Sequence, residues 1–148
     1  MLLSDPSDPV FRDLDGFFRD FGLHLVDLAL RTKGSTTSVS VVLHSSAGLG
    51  IDELSRVHKA LVPRLEVLLK TEDFSIELGS PGLERNLKYQ RELGFYAGRK
   101  IRLYLVGAKD WEDGSIESVE GDHVTFLGTS GSKTLPASAI LKAKLHDL

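Results

Sequence analysis

One hundred and forty-eight residues make one average domain or two small ones and exclude a large multidomain enzyme. With 41% hydrophobic, 26% charged and 7% aromatic residues and a net charge of −3, the chain can build a packed core and is no disordered tail. No apolar run approaches the roughly 20 residues of a membrane helix, the acidic, proline-bearing start lacks a signal peptide's basic region, and zero Cys removes disulfides, thiolate nucleophiles and Cys-type zinc sites, so a cytoplasmic protein is expected.

Val10, Phe11, Leu14, Phe17, Phe18 and Phe21 recur at three- and four-residue steps and predict an amphipathic helix ending near Gly22. Leu23 to Leu30 and Val39 to Leu43 read as strands, with Val26, Leu28 and Leu30 sharing one face and Val39, Val41 and Leu43 another, joined through Lys33-Gly34-Ser35-Thr36. A Gly-rich loop, Ser45 to Gly50, leads to a second helix with Ile51, Leu54, Val57, Leu61, Leu65, Leu68 and Leu69 as its apolar stripe. Pro63 inside it costs about 3 kcal/mol and predicts a kink or break. Phe74, Ile76 and Leu78 form a third strand. The order α-β-β-α-β makes an α/β sandwich, an arrangement that resembles KH-type RNA-binding domains.

From Gly98 the texture changes to short apolar runs at Ile101 to Val106, Ile116 to Val119, Val124 to Leu127, Thr134-Leu135 and Ile140 to Leu145. These predict a small all-β barrel of SH3 or Sm type. The fold class is therefore α+β, with residues 1–84 as the KH-like domain, 85–97 as a partly helical connection and 98–148 as the barrel.

Charge is unevenly spread. Residues 1–84 hold eight Lys or Arg against thirteen Asp or Glu, residues 85–102 hold six against one, and residues 103–148 hold four against seven. The cations of the middle stretch, Arg85, Lys88, Arg91, Arg99, Lys100 and Arg102, form a patch suited to a phosphate-rich partner, or are the solvated ends of a helix and a strand. Tyr89, Phe95 and Tyr96 interleave with them and can stack on bases or pack inside.

The segment Ile76-Glu77-Leu78-Gly79-Ser80-Pro81-Gly82-Leu83-Glu84-Arg85-Asn86-Leu87 resembles the signature of the bacterial ribosome maturation factor RimP family, commonly close to E-V-S-S-P-G-L-D-R-P-L. Gly22 to Asp27, Val39 to Leu43 with Ile51-Asp52-Glu53-Leu54, Gly98 to Leu103 and Ile140 to Leu145 are similar to other family segments in order and spacing. Departures are Gly79 for Ser, Glu84 for Asp, Asn86 for Pro, His24 for Glu and Leu43-His44 for Ile-Asp. The resemblance implies a non-enzymatic assembly factor with a KH-like and a Sm-like domain. It would bind the free 30S small ribosomal subunit, with its 16S ribosomal RNA and small-subunit ribosomal protein twelve, and assist late maturation. A monomer without cofactor or metal is expected.

Within the signature, Ser80 can close a turn, Pro81 fixes φ, Gly82 admits a φ other residues avoid, and Leu83 and Glu84 lead to Arg85 at the domain junction. Arg85 either grips RNA phosphate or a partner carboxylate bidentately, or pairs structurally with Glu84 or Glu77 and sets the domain angle. Gly79 to Gly82 spells a KH clamp but follows a strand, and Gly128 to Thr134 has the wrong P-loop spacing and context, so both read as turns. Ser130-x-x-Lys133 lacks the companion motifs of a β-lactamase, and the five His lack metal-ligand spacing. Two competing readings are a general RNA-binding module with a Sm-like oligomeric barrel, and a hydrolase using Ser80, His24 and Asp27, for which no nucleophile elbow speaks.

Overall fold

The computed structural model describes residues 2–148, which form two compact units: Ser7–Pro81, and the segment up to Pro6 together with Gly82–Leu148. The whole is mixed α/β with three helices and two sheets among the described residues.

In the first unit, helix α1 (Pro9–Arg19) starts where Asp8 accepts from the Val10 N–H at 2.9 Å and Pro9 supplies a preset φ. It closes as a Schellman motif: Leu23 N–H donates to Phe18 O at 3.0 Å and Gly22 N–H to Arg19 O at 2.9 Å, with Gly22 at φ +76°. Strands β1 (His24–Lys33) and β2 (Thr36–His44) form an antiparallel hairpin around Gly34-Ser35, and Gly34 takes φ +64° at the first loop position. A bulge between Leu25 and Asp27 lets Leu25 and Val26 both be buried, so the strict alternation expected for β1 is interrupted there. Helix α2 (Ile51–Leu69) returns the chain to β3 (Phe74–Gly79), which pairs in parallel with β2. The core gathers Phe11, Leu14 and Phe18 of α1, Val57, Leu61 and Leu65 of α2, and Val39, Val41 and Leu43 of β2.

A break at Pro63 and a buried Ile51 are the two parts of the α2 expectation that the structure corrects. The helix is not broken at Pro63, because Val57, Leu61 and Leu65 are buried on both sides of it and their packing offsets one lost backbone hydrogen bond. Ile51 does not extend the buried stripe; it is the first helical residue, carried out into solvent.

The second unit is a six-stranded ladder in the order β4-β9-β5-β6-β7-β8. Its strands are β4 (Glu84–Asn86), β5 (Lys100–Leu105), β6 (Glu112–Glu120), β7 (His123–Gly128), β8 (Gly131–Pro136) and β9 (Ile140–His146), all pairing antiparallel. Helix α3 (Glu92–Phe95) is a single turn before β5. Period-two alternation sends Ile101, Leu103, Ile116, Val124, Phe126, Ala143 and Leu145 into one core with Leu87, Leu93 and Tyr96. The barrel expected from these strands is not closed. Pro136 lacks the N–H to continue β8, and a 3-10 turn (Ala137–Ala139) carries the chain to β9 beside β5, leaving β4 and β8 as edges. The acidic leader also belongs here: Leu3 bridges Tyr89 in parallel, its N–H donating to Lys88 O at 2.9 Å and its carbonyl accepting from Gln90 N–H at 2.8 Å, and Leu2 is buried in the core. No helix among the described residues is long and apolar enough to cross a membrane.

Candidate nucleic-acid interface

Alternation in two neighbouring strands creates a cationic sheet face. Ile101 and Leu103 of β5 and Ala143 and Leu145 of β9 point inward, so Lys100, Arg102 and Tyr104, with Lys142 and Lys144, stand on the opposite side. The register sets Arg102 opposite Lys144 and Tyr104 opposite Lys142. Arg102 meets Asp113 of β6 at 2.9 Å, whereas neither Lys142 nor Lys144 has a carboxylate partner among the described residues. Arg102 and Lys144 are the one like-charged pair directly opposite in this register, a placement that costs a sheet about a few tenths of a kcal/mol. Lys100 and Arg102 also line a cleft of about 490 Å³ with Gly114, Leu127, Thr129 and His146.

The other four cations of the sequence patch do not join this face. Arg85 on β4 turns inward with only 14% of its side chain exposed, and its Nε and Nη2 reach Glu92 Oε1 and Oε2 at 2.6 and 3.3 Å. Glu92, 0% exposed, also accepts from the backbone N–H groups of Lys88 and Tyr89 at 2.7 and 2.9 Å and from the Tyr96 hydroxyl at 3.2 Å. The carboxylate thus organises the stretch from β4 to α3. Burial, reinforced by the charge of Glu92, pushes the Tyr96 phenol above its ordinary range. The structural partner of Arg85 is therefore Glu92 rather than Glu84 or Glu77, a residue whose role is invisible in a charge count that treats it as one acid among six bases.

Arg99 donates to Asp147 Oδ2 and to the Gly82 carbonyl, each at 3.0 Å, and its hydrogen bond holds the Asp147 carboxyl below the usual carboxylate range. Arg91 lies over the Phe95 ring at 5.4 Å and Lys88 over Tyr89 at 5.3 Å. Tyr89 and Tyr96 are buried, so of the three aromatics expected as stacking candidates only half-buried Phe95 has a ring within reach of solvent.

The sequence is similar to known proteins along its length. A family model for the RimP N-terminal domain matches residues 14–84. A protein of Borrelia turicatae named ribosome maturation factor RimP is 33% identical over 124 residues, covering 84% of this chain and 85% of the relative. The chain belongs to the RimP family. Relatives of the same name from Borrelia hermsii and Borreliella burgdorferi are 32% identical over 124 residues and 28% identical over 144 residues. The latter alignment covers 95% of this chain and 96% of the relative, so the likeness extends through the cationic face.

Against the RimP signature, Gly82 takes φ +76° as its position requires, and Glu84 places Oε1 3.2 Å from His146 Nδ1. Two departures from the family pattern, His24 and His44, are register partners in β1 and β2 with ring centroids 6.4 Å apart. The Gly128 to Thr134 segment is the end of β7, the two-residue Thr129-Ser130 turn and the start of β8. Ser80 makes no hydrogen bond to His24 or Asp27 among the described residues. No group of three or more His, Asp or Glu there is placed to hold a metal ion.

Proposed function

We propose that this RimP-family protein is a non-enzymatic ribosome maturation factor that binds the free 30S small subunit in the cytoplasm and assists its late assembly. The observation that carries the reading is the pair of unneutralised lysines, Lys142 and Lys144, beside Lys100 and Arg102 on one strand-ordered face. Lysines so placed contact phosphates as point charges, positioning a protein without reading sequence. That suits recognition of one folded RNA-protein surface, here 16S ribosomal RNA near small-subunit ribosomal protein twelve. Lys88 and Arg91, outside this face, would make separate phosphate contacts, and Arg85 and Arg99 hold the segment from Gly82 to Lys100 in shape. The first unit is taken as KH-like and the ladder as an open Sm-like barrel, and the protein acts as a monomer. Binding the near-mature subunit better than its immature conformers shifts the population toward the mature one.

Sucrose-gradient cosedimentation with free small subunits, large subunits and joined ribosomes at two salt concentrations tests this. Selective comigration with small subunits, weakened by salt, is expected. Binding to bare RNA by a stable oligomeric ring, without small-subunit comigration, would replace it with a general RNA-binding module.

A further inference from the structure

We propose that Trp111, steadied by Tyr104 and with Lys144 over its ring, is a stacking platform for one unpaired RNA base, with the lysines of the same face holding the flanking phosphates. The inference deepens the RNA-binding reading above and rests on it. A single exposed apolar side chain requires no explanation by itself, but Trp111 is not isolated. The residue is 37% exposed, and Tyr104 stands edge-on against its ring with centroids 5.6 Å apart and planes at 70°. Lys144 reaches across β5 to place its ammonium 6.0 Å from the indole centroid, and Lys142 lies opposite Tyr104 in the register.

Each part has a chemical consequence. The edge-on tyrosine limits the tilt of the indole, so the ring is pre-organised, which lowers the ordering cost of binding. A base laid on the indole gains stacking with any of the four nucleobases, because each has a π face. Lys144, displaced from the indole by the incoming base, stays on a short tether beside the nucleotide's phosphate. A duplex keeps its base faces covered by their neighbours, so the ligand class is single-stranded RNA, a loop, bulge or end. Acidic peptides would satisfy the lysines but offer nothing for the indole face.

Trp111 is the only tryptophan in the chain, so its emission reports this site alone. The full-length protein is titrated at low salt with a ten-nucleotide oligoadenylate and with a ten-base-pair RNA duplex, and affinity is measured by anisotropy of the labelled RNA. The single strand should quench Trp111 saturably and the duplex should not. Trp111→Leu, which keeps apolar bulk against Tyr104 without a matching π face, should weaken oligoadenylate binding about tenfold, while Trp111→Phe retains most affinity. Both variants should melt close to the wild type and keep its salt dependence. Equal quenching by the duplex, wild-type affinity in Trp111→Leu, or no binding of the single strand would each overturn the platform. In that event small-subunit comigration would persist if the general reading holds, and its loss would instead indict that reading.

Discussion

Glu92→Gln should be the most damaging conservative substitution in the second unit. The carboxylate is fully buried and receives Arg85 through two nitrogens, two backbone N–H groups and the Tyr96 hydroxyl. Removing one charge of a buried pair costs about 3–5 kcal/mol, because the other is left uncompensated. Gln keeps the volume and one acceptor oxygen but turns an N–H₂ toward groups that are all donors, so about 3 kcal/mol is expected. In a unit of this size each kcal/mol lowers the melting temperature by about 4–8 °C, giving a drop of about 12–24 °C. Urea denaturation followed by Trp111 emission reads this unit specifically. Arg85→Met should also destabilise, and the double variant should recover part of the loss, with a coupling energy of about 2 kcal/mol in the cycle. A Glu92→Gln protein within about 0.5 kcal/mol of wild type would refute the assignment of Glu92 as the organiser of this segment.

Two further outcomes follow from the same geometry. Gly114→Ala places a Cβ in overlap with the Leu127 carbonyl oxygen and 2.6 Å from Cζ of the Phe126 ring, so a loss of about 3 kcal/mol is expected in chemical denaturation, whereas Gly16→Ala on the exposed face of α1 should gain up to about 1 kcal/mol. Because the Tyr96 phenol titrates higher folded than unfolded, its contribution is fully present below pH ~10 and is lost as pH rises beyond, at up to about 1.4 kcal/mol per pH unit. Urea curves of wild type and Tyr96→Phe between pH 8 and 11 should therefore converge or cross at the alkaline end, and parallel pH profiles would contradict the buried neutral phenol.

Much of the architecture is legible in local patterns. The Gly22 stop of α1, the Gly34 hairpin and the strands of the ladder follow from turn chemistry and alternation, which act over a few residues. What escapes is set by pairing between distant segments. Lys142 and Lys144 come beside Lys100 and Arg102 only through the β5–β9 register, so a charge count over consecutive residues does not bring these four side chains together. The alternating K-I-R of 100–102 and K-A-K of 142–144 carried that signal. Glu92 and Leu2 were likewise illegible, because one is buried by an arginine seven residues away and the other by a core some eighty-five residues downstream. Of the kink or break expected at Pro63, the break is overridden by packing on both sides of the proline.

The most direct test of the cationic face is the salt dependence of small-subunit affinity for wild type and for Lys100→Gln, Lys142→Gln and Lys144→Gln combined. Arg102 is left in place because it pairs with Asp113. If the three lysines contact phosphates, the variant binds more weakly and its log–log salt slope flattens by about 2, at about 0.7 per contact on single-stranded RNA. Unchanged affinity with an unchanged slope would contradict the account.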